Sequence, residues 1–220
     1  YESYPWPKID NIDFSFLDWL QEFVPEGMKI LISSSSGVFE IASEELLGFE
    51  GMSYLLYENY PLVEAVFNRV GETLNAYYRS VVSSEIVGGF FQGDDMGYKT
   101  STIISPEILR TLVLPWHKKN ASLAHQYGKL FFFHSCGNIF TLMDELIEEV
   151  RIDAYHSFQD EILPIWQFKE KFGDRVGYLG GVDVNKLCLS SERELRIYVR
   201  SLIEKCFPGR FAIGSGNSIA

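Results

Sequence analysis

The chain of 220 residues carries 46% apolar and 22% charged side chains, enough apolar material to bury one sizeable core. Its formal net charge of −11 excludes partners that demand a basic face, the nucleic-acid backbone and the anionic membrane surface alike. No apolar run reaches the length of a membrane span, no basic-then-apolar start marks a signal peptide, and three cysteines make no disulfide framework, so the expected location is the reducing cytoplasm.

Short runs rich in Ile, Val and Phe alternate along the chain with longer amphipathic segments. Strands are predicted at 28–34, 85–92, 130–134, 152–156, 176–180 and 210–214. Each run is continuous in hydrophobicity rather than alternating, the pattern of strands buried on both faces of a parallel sheet. A helix is predicted over 62–82, where Val63, Val66, Val70, Leu74, Tyr77 and Val81 recur at helical period. Ser105-Pro106 reads as a cap followed by proline at the first helical position, opening a helix to about Tyr127 that Pro115 should kink. Asn138 is expected to cap a helix over 139–150, with Ile139, Leu142, Met143, Leu146 and Ile147 facing inward. Ser191 with Glu194 makes a capping box for a helix ending near Gly209. No internal repeat, low-complexity segment or linker interrupts this order, so residues 1–220 read as one domain.

Strands alternating with helices mean a parallel sheet, either doubly wound or closed into a barrel. No glycine fingerprint of a dinucleotide site follows any strand, which weighs against the doubly wound form. Polar residues instead gather at the carboxyl ends of the strands. Asp94 and Asp95 follow the second, His134 and Cys136 the third, and His156, Gln159 and Asp160 the fourth; Asp183 follows the fifth, and Ser215 and Asn217 the sixth. In parallel α/β barrels the catalytic residues come from these ends and converge on one mouth.

The most specific piece is His134-x-Cys136-Gly137. Positions two apart on a strand project from the same side, so imidazole and thiol would point together. Zinc favours this pair, and a catalytic zinc needs a third protein ligand and an open position. The competing reading is a buried strand-end histidine beside a packed cysteine, and spacing alone leaves both open. Asp94-Asp95 is equally suited to capping a loop and to chemistry. His117 and His125, within a helix, read as packing or surface residues. Cys206, in line with Leu195, Val199 and Leu202, reads as core, and Cys188, in a loop after a strand, as packing ahead of a thiol ligand. The run Phe131–Phe133 reads as buried strand.

Several of these motifs in order resemble the uroporphyrinogen decarboxylase superfamily. They are Gly93-Asp94-Asp95-Met96-Gly97, Ile104-Ser105-Pro106-Glu107, Val113-Leu114-Pro115-Trp116, Phe133-His134-Ser135-Cys136-Gly137-Asn138, Gly180-Gly181-Val182-Asp183 and Gly214-Ser215-Gly216-Asn217. The resemblance runs from about Leu31 to the end of the chain. It implies a (β/α)8 TIM barrel, which typically takes about 250 residues, here expected to lack its N-terminal strands and its C-terminal helix. One branch of the family decarboxylates porphyrinogens without a cofactor. The other, the methylcobamide:coenzyme M methyltransferases, carries His-x-Cys and a distant cysteine on zinc, and His134 and Cys136 match that branch. The last zinc cysteine would fall in the Gly214-Ser215-Gly216 turn, where this chain has Ser215. Glu44 sits near the position of a decarboxylase active-site tyrosine. Both departures mark a divergent subgroup.

The resemblance therefore implies zinc-dependent methyl transfer between a methylated corrinoid and a thiol, with zinc on His134 and Cys136. The corrinoid would be a substrate or ride on a partner protein. Asp94, Asp95 and Asp183 are the expected catalytic residues, Asp95 being alternatively the missing anionic ligand. His156, Ser215 and Asn217 are expected to bind substrate. Self-association would cover an exposed barrel edge. Two alternatives stand beside this reading. One is cofactor-free decarboxylation of a tetrapyrrole, for which the strand ends offer acids where cationic contacts are needed. The other is a non-catalytic corrinoid- or tetrapyrrole-binding protein, favoured by Ser215 in a ligand position.

Overall fold

The structure, a computed structural model, describes residues 1–219. The chain divides into two compact units, Tyr1–Asp94 with Ser105–Phe131, and Asp95–Ile104 with Phe132–Ala220.

The first unit holds α1 (Phe16–Phe23), β1 (Ile30–Ile32) and a short turn of helix, α2 (Val38–Glu40), that runs into a π-helical turn at Ile41–Leu46. It continues with α3 (Phe49–Glu58), α4 (Tyr60–Val81), β2 (Val87–Gly93), α5 (Pro106–Leu112) and α6 (Leu114–Gln126). β1 and β2 are parallel, with Ile30 opposite Val87 and Ile32 opposite Phe90. The long α4 starts where Asn59 accepts a hydrogen bond from the Leu62 N–H at 3.4 Å, and it buries Val63, Val66, Phe67, Val70, Leu74, Tyr78 and Val81. Each such side chain contributes about 1.5–3 kcal/mol on burial, so the stripe holds the helix more than local propensity does. The single helix expected from Ser105 to about Tyr127 is two helices. Ser105 does cap α5, but the chain breaks at Val113. Pro115 offers no N–H to the Thr111 carbonyl and its ring crowds that oxygen, which ends α5 one turn early.

The second unit takes up β3 (Leu130–His134) and passes through a 3-10 turn at Phe140–Leu142, α7 (Met143–Glu145) and a π-helical turn at Leu146–Val150. β4 (Ala154–His156), α8 (Ile165–Phe172), β5 (Gly177–Val182), α9 (Val184–Leu189), α10 (Glu192–Cys206) and β6 (Phe211–Ser215) follow. β3, β4, β5 and β6 are parallel neighbours in chain order. Tyr155 stacks on Phe168 at 5.4 Å and Tyr178 on Phe211 at 5.5 Å, an aromatic core between strands and helices. The regular helix expected over 139–150 is a composite of three helical forms, and Asn138 caps it by accepting from the Phe140 N–H at 3.3 Å. The Ser191–Glu194 capping box forms as expected, and α10 ends at Cys206, two residues before Pro208. Cys206 is fully buried.

Every strand falls within two residues of its predicted ends. Parallel strands joined through helices are the α/β architecture that the alternation implies. Six strands are described, against the eight of a complete (β/α)8 barrel. No helix among the described residues is long and apolar enough to cross a membrane.

Candidate metal centre

His134 ends β3, whose Phe131 and Phe133 are fully buried. The chain then bends at Ser135, a buried residue held from three sides. Its N–H donates to the His156 carbonyl at 2.8 Å, its carbonyl accepts from the Tyr155 hydroxyl at 2.9 Å, and its hydroxyl accepts from the Met96 N–H at 3.0 Å. The bend returns Cys136 to the side of His134, with Sγ 3.5 Å from Nε2.

The excursion Asp95–Ile104 closes as a small hairpin, Gly97 bridging to Thr102. It lies directly on the 136–138 turn. A Cβ on Gly97 would stand 2.5 Å from the Cys136 carbonyl oxygen, and one on Gly137, at φ +78, would stand 2.2 Å from the Gly97 carbonyl carbon. Neither position admits a side chain. This close approach delivers Asp95, whose Oδ1 accepts from the Cys136 N–H at 2.7 Å and lies 3.4 Å from His134 Nε2.

Asp95, His134 and Cys136 thus present a carboxylate oxygen, an imidazole nitrogen and a sulfur within 4.8 Å of one another. Tetrahedral zinc with nitrogen and oxygen at about 2.0–2.1 Å and sulfur at about 2.3 Å requires N···O spacings of about 3.4 Å and N···S spacings of about 3.6 Å. The observed spacings from His134 Nε2 are 3.4 Å and 3.5 Å, so the imidazole fits the ion with each partner, and the carboxylate oxygen and sulfur lie within 4.8 Å of each other. A carboxylate and a thiolate together balance a divalent cation. The His134 and Asp95 side chains are 14% and 35% exposed, which leaves the cluster partly open to solvent.

The electrostatics agree. Burial, then the adjacent Asp95 carboxylate, push the Cys136 thiol up to about 12. Burial also acts to raise Asp95, but hydrogen bonds from the His134 and Cys136 side chains and the Cys136 N–H outweigh it and hold the carboxyl below its usual range. Without a cation the carboxylate keeps the negative charge and the thiol keeps its proton. Two donors favour the thiolate instead: the Asn217 amide, 3.1 Å from Sγ, and the Ser157 hydroxyl.

His156 lies opposite His134 in the β3–β4 register, and their Nδ1 atoms are 2.6 Å apart. Its Nε2 donates to the Ser215 carbonyl at 3.1 Å. Burial pushes the imidazole down to about 4, which keeps it neutral near pH 7.

The expected site residues therefore separate. Asp95, His134, Cys136, His156 and Asn217 come together, and Ser215 joins them through its main-chain oxygen. Asp183 is turned elsewhere: its Oδ1 accepts from the Asn185 and Lys186 N–H groups at 2.9 and 3.2 Å, capping α9, and its Oδ2 accepts from the Asp160 N–H at 2.9 Å. Asp94 belongs to the first unit and is fully buried. It accepts from the Phe39 and Glu40 N–H groups at 3.1 and 3.0 Å and meets His117 Nε2 at 2.8 Å. Both aspartates, expected in chemistry, hold backbone. The His117 partnership escaped the sequence reading, although Leu114, His117, Ala121 and Ala124 form one buried stripe on α6. Ser157 and the Tyr155 hydroxyl carry no sequence signal of their own.

No protein-family model matches this sequence, and no curated protein matches it. Among solved structures, a methyltransferase from Methanosarcina mazei is similar over 91% of this chain, with a TM-score of 0.71 and 16% sequence identity. The match covers 56% of that methyltransferase, so the chain spans little more than half its length. At this identity the likeness establishes a shared fold.

Proposed function

We propose that Asp95, His134 and Cys136 hold a zinc ion, and that the centre serves methyl transfer between a methylated corrinoid and a thiol. The observation that carries this reading is the donor spacing, 3.4 Å from His134 Nε2 to Asp95 Oδ1 and 3.5 Å to Cys136 Sγ. The shared fold with a methyltransferase supports it, as does the resemblance of the His134-x-Cys136 motif to the methylcobamide branch. Bound zinc would lower the pKa of a thiol that joins it, making a thiolate nucleophile available near neutral pH.

The chain's own residues prepare the site. Asp95 supplies the third ligand that the hydroxyl of Ser215 cannot supply. Asn217 and Ser157 donate toward the Cys136 sulfur and stabilise its thiolate form. The partly exposed side of the cluster receives the incoming thiol, and the corrinoid arrives as a substrate or on a partner protein.

The test is the intact protein assayed with a methylated corrinoid and a thiol, and separately with a porphyrinogen, each with and without chelator. Chelator-sensitive methyl transfer supports the reading. Chelator-resistant release of carbon dioxide without methyl transfer would replace it with decarboxylation.

A further inference from the structure

We propose that His156 is a positioning residue for the metal centre: together with the main-chain carbonyl of Ser215, it fixes the tautomer and ring orientation of His134, rather than binding substrate. The inference rests on the metal-centre reading above. A carbonyl oxygen only accepts, so the 3.1 Å contact places a hydrogen on His156 Nε2. A His134 that gives Nε2 to the metal keeps its hydrogen on Nδ1, so His156 Nδ1, 2.6 Å away, is the acceptor. The hydrogen between the two Nδ1 atoms, 2.6 Å apart, then comes from His134. With zinc bound, the metal takes the place of the hydrogen that Nε2 otherwise directs at Asp95, and with its hydrogen on Nδ1 His134 presents a lone pair at Nε2, the atom that faces Cys136 Sγ and Asp95 Oδ1. Ligation through Nε2 requires this tautomer and no other. The backbone thus selects, through two rings, which nitrogen of His134 meets the metal.

The fold builds this relay on purpose-shaped ground. The parallel register sets His134 opposite His156, with ring centroids 4.8 Å apart and planes tilted by 30°. Gly180, at φ +96, lies beside the second hydrogen bond. A Cβ there would stand 2.5 Å from the Ser215 carbonyl oxygen and 2.8 Å from His156 Cδ2. Only glycine leaves ring and carbonyl in contact.

The experiment titrates Zn2+ into the intact protein and into two variants, with near-ultraviolet circular dichroism as the check on folding. His156→Phe keeps a ring but neither accepts nor donates, and its zinc affinity should fall about 10–100-fold, the usual consequence of losing a partner of a metal ligand. His156→Asn, whose Oδ1 replaces Nδ1 as acceptor, should recover most of that loss. Imidazole nitrogen resonances of the zinc-loaded parent read the tautomers without any substitution, and with four histidines in the chain they are assignable. They should show His134 protonated at Nδ1 and metal-bound at Nε2, and His156 protonated at Nε2 alone. Should His156→Phe fail to fold, these resonances decide. Zinc bound equally tightly by folded His156→Phe, or His134 bound through Nδ1, overturns the relay and leaves the metal centre standing. A parent protein that binds no zinc overturns both.

Discussion

Asp94 and Asp95 are neighbours in the chain, yet Asp94 is sealed from solvent against the Phe39 and Glu40 N–H groups while Asp95 reaches the Cys136 N–H at 2.7 Å. The two carboxylates should separate cleanly on substitution. Asp94→Ala leaves two backbone N–H groups of the first unit without their acceptor and should cost about 1–3 kcal/mol for each donor left unsatisfied. Asp95→Asn should stay within about 1 kcal/mol of the parent, as partly exposed sites usually do, and should lose metal affinity instead. Urea unfolding and zinc titration of both variants check the division.

Metal binding should strengthen with pH. The Cys136 thiol is pushed up to about 12 and must ionise to ligate, so each ion bound well below that pH releases one proton from Cys136. The apparent association constant should rise about tenfold per pH unit from neutral pH upward, one proton being one power of hydrogen-ion concentration. Calorimetry in buffers of different ionisation heats counts the proton. The sign reverses for the metal-free fold. A thiol raised on folding stabilises the native state below the unfolded value of about 9, and that contribution is lost as the pH climbs toward 12.

Gly137→Ala should damage the centre more than the fold. Its Cβ would meet the Gly97 backbone at 2.2 Å, and backbone cannot step aside as a flexible side chain can. The hairpin carrying Asp95 must lift away from Cys136, and zinc affinity should fall by at least about tenfold, the lower end for disturbing a ligand's support. Unchanged affinity would show that Asp95 is not a ligand.

Asp183→Ala should do the opposite. Losing an N-cap typically costs about 0.5–2 kcal/mol, here at α9 and its link to Asp160, while zinc affinity stays at the parental value. Thermal unfolding and zinc titration measured on one preparation separate the two effects.

What the sequence made legible follows from the range of the interactions involved. The strands were readable because continuous apolar runs need only local pattern; His134 and Cys136 were legible as a pair from their spacing, although a bend at Ser135 rather than the strand period brings them together. The place of Asp95 beside His134 and Cys136 was readable only as one option, since it depends on two glycine-bearing segments meeting across 41 residues. His156 stood out as polar at a strand end, but its partnership with His134 depends on register, which no single strand contains. The capping duties of Asp94 and Asp183 looked like chemistry because a buried carboxylate holding N–H groups and one holding a proton or a metal occupy the same places after strands. The composite helix over 140–150 was invisible for a different reason, as its apolar spacing satisfies a regular helix equally well.

The most direct measurement is the metal content of the intact protein beside its Cys136→Ala variant, both purified without chelator and confirmed folded. The account predicts one zinc per chain in the parent and none retained by the variant, since no neighbouring group replaces the charge of the thiolate. A parent that neither contains nor takes up zinc, or a Cys136→Ala protein that holds it as tightly as the parent, would contradict it.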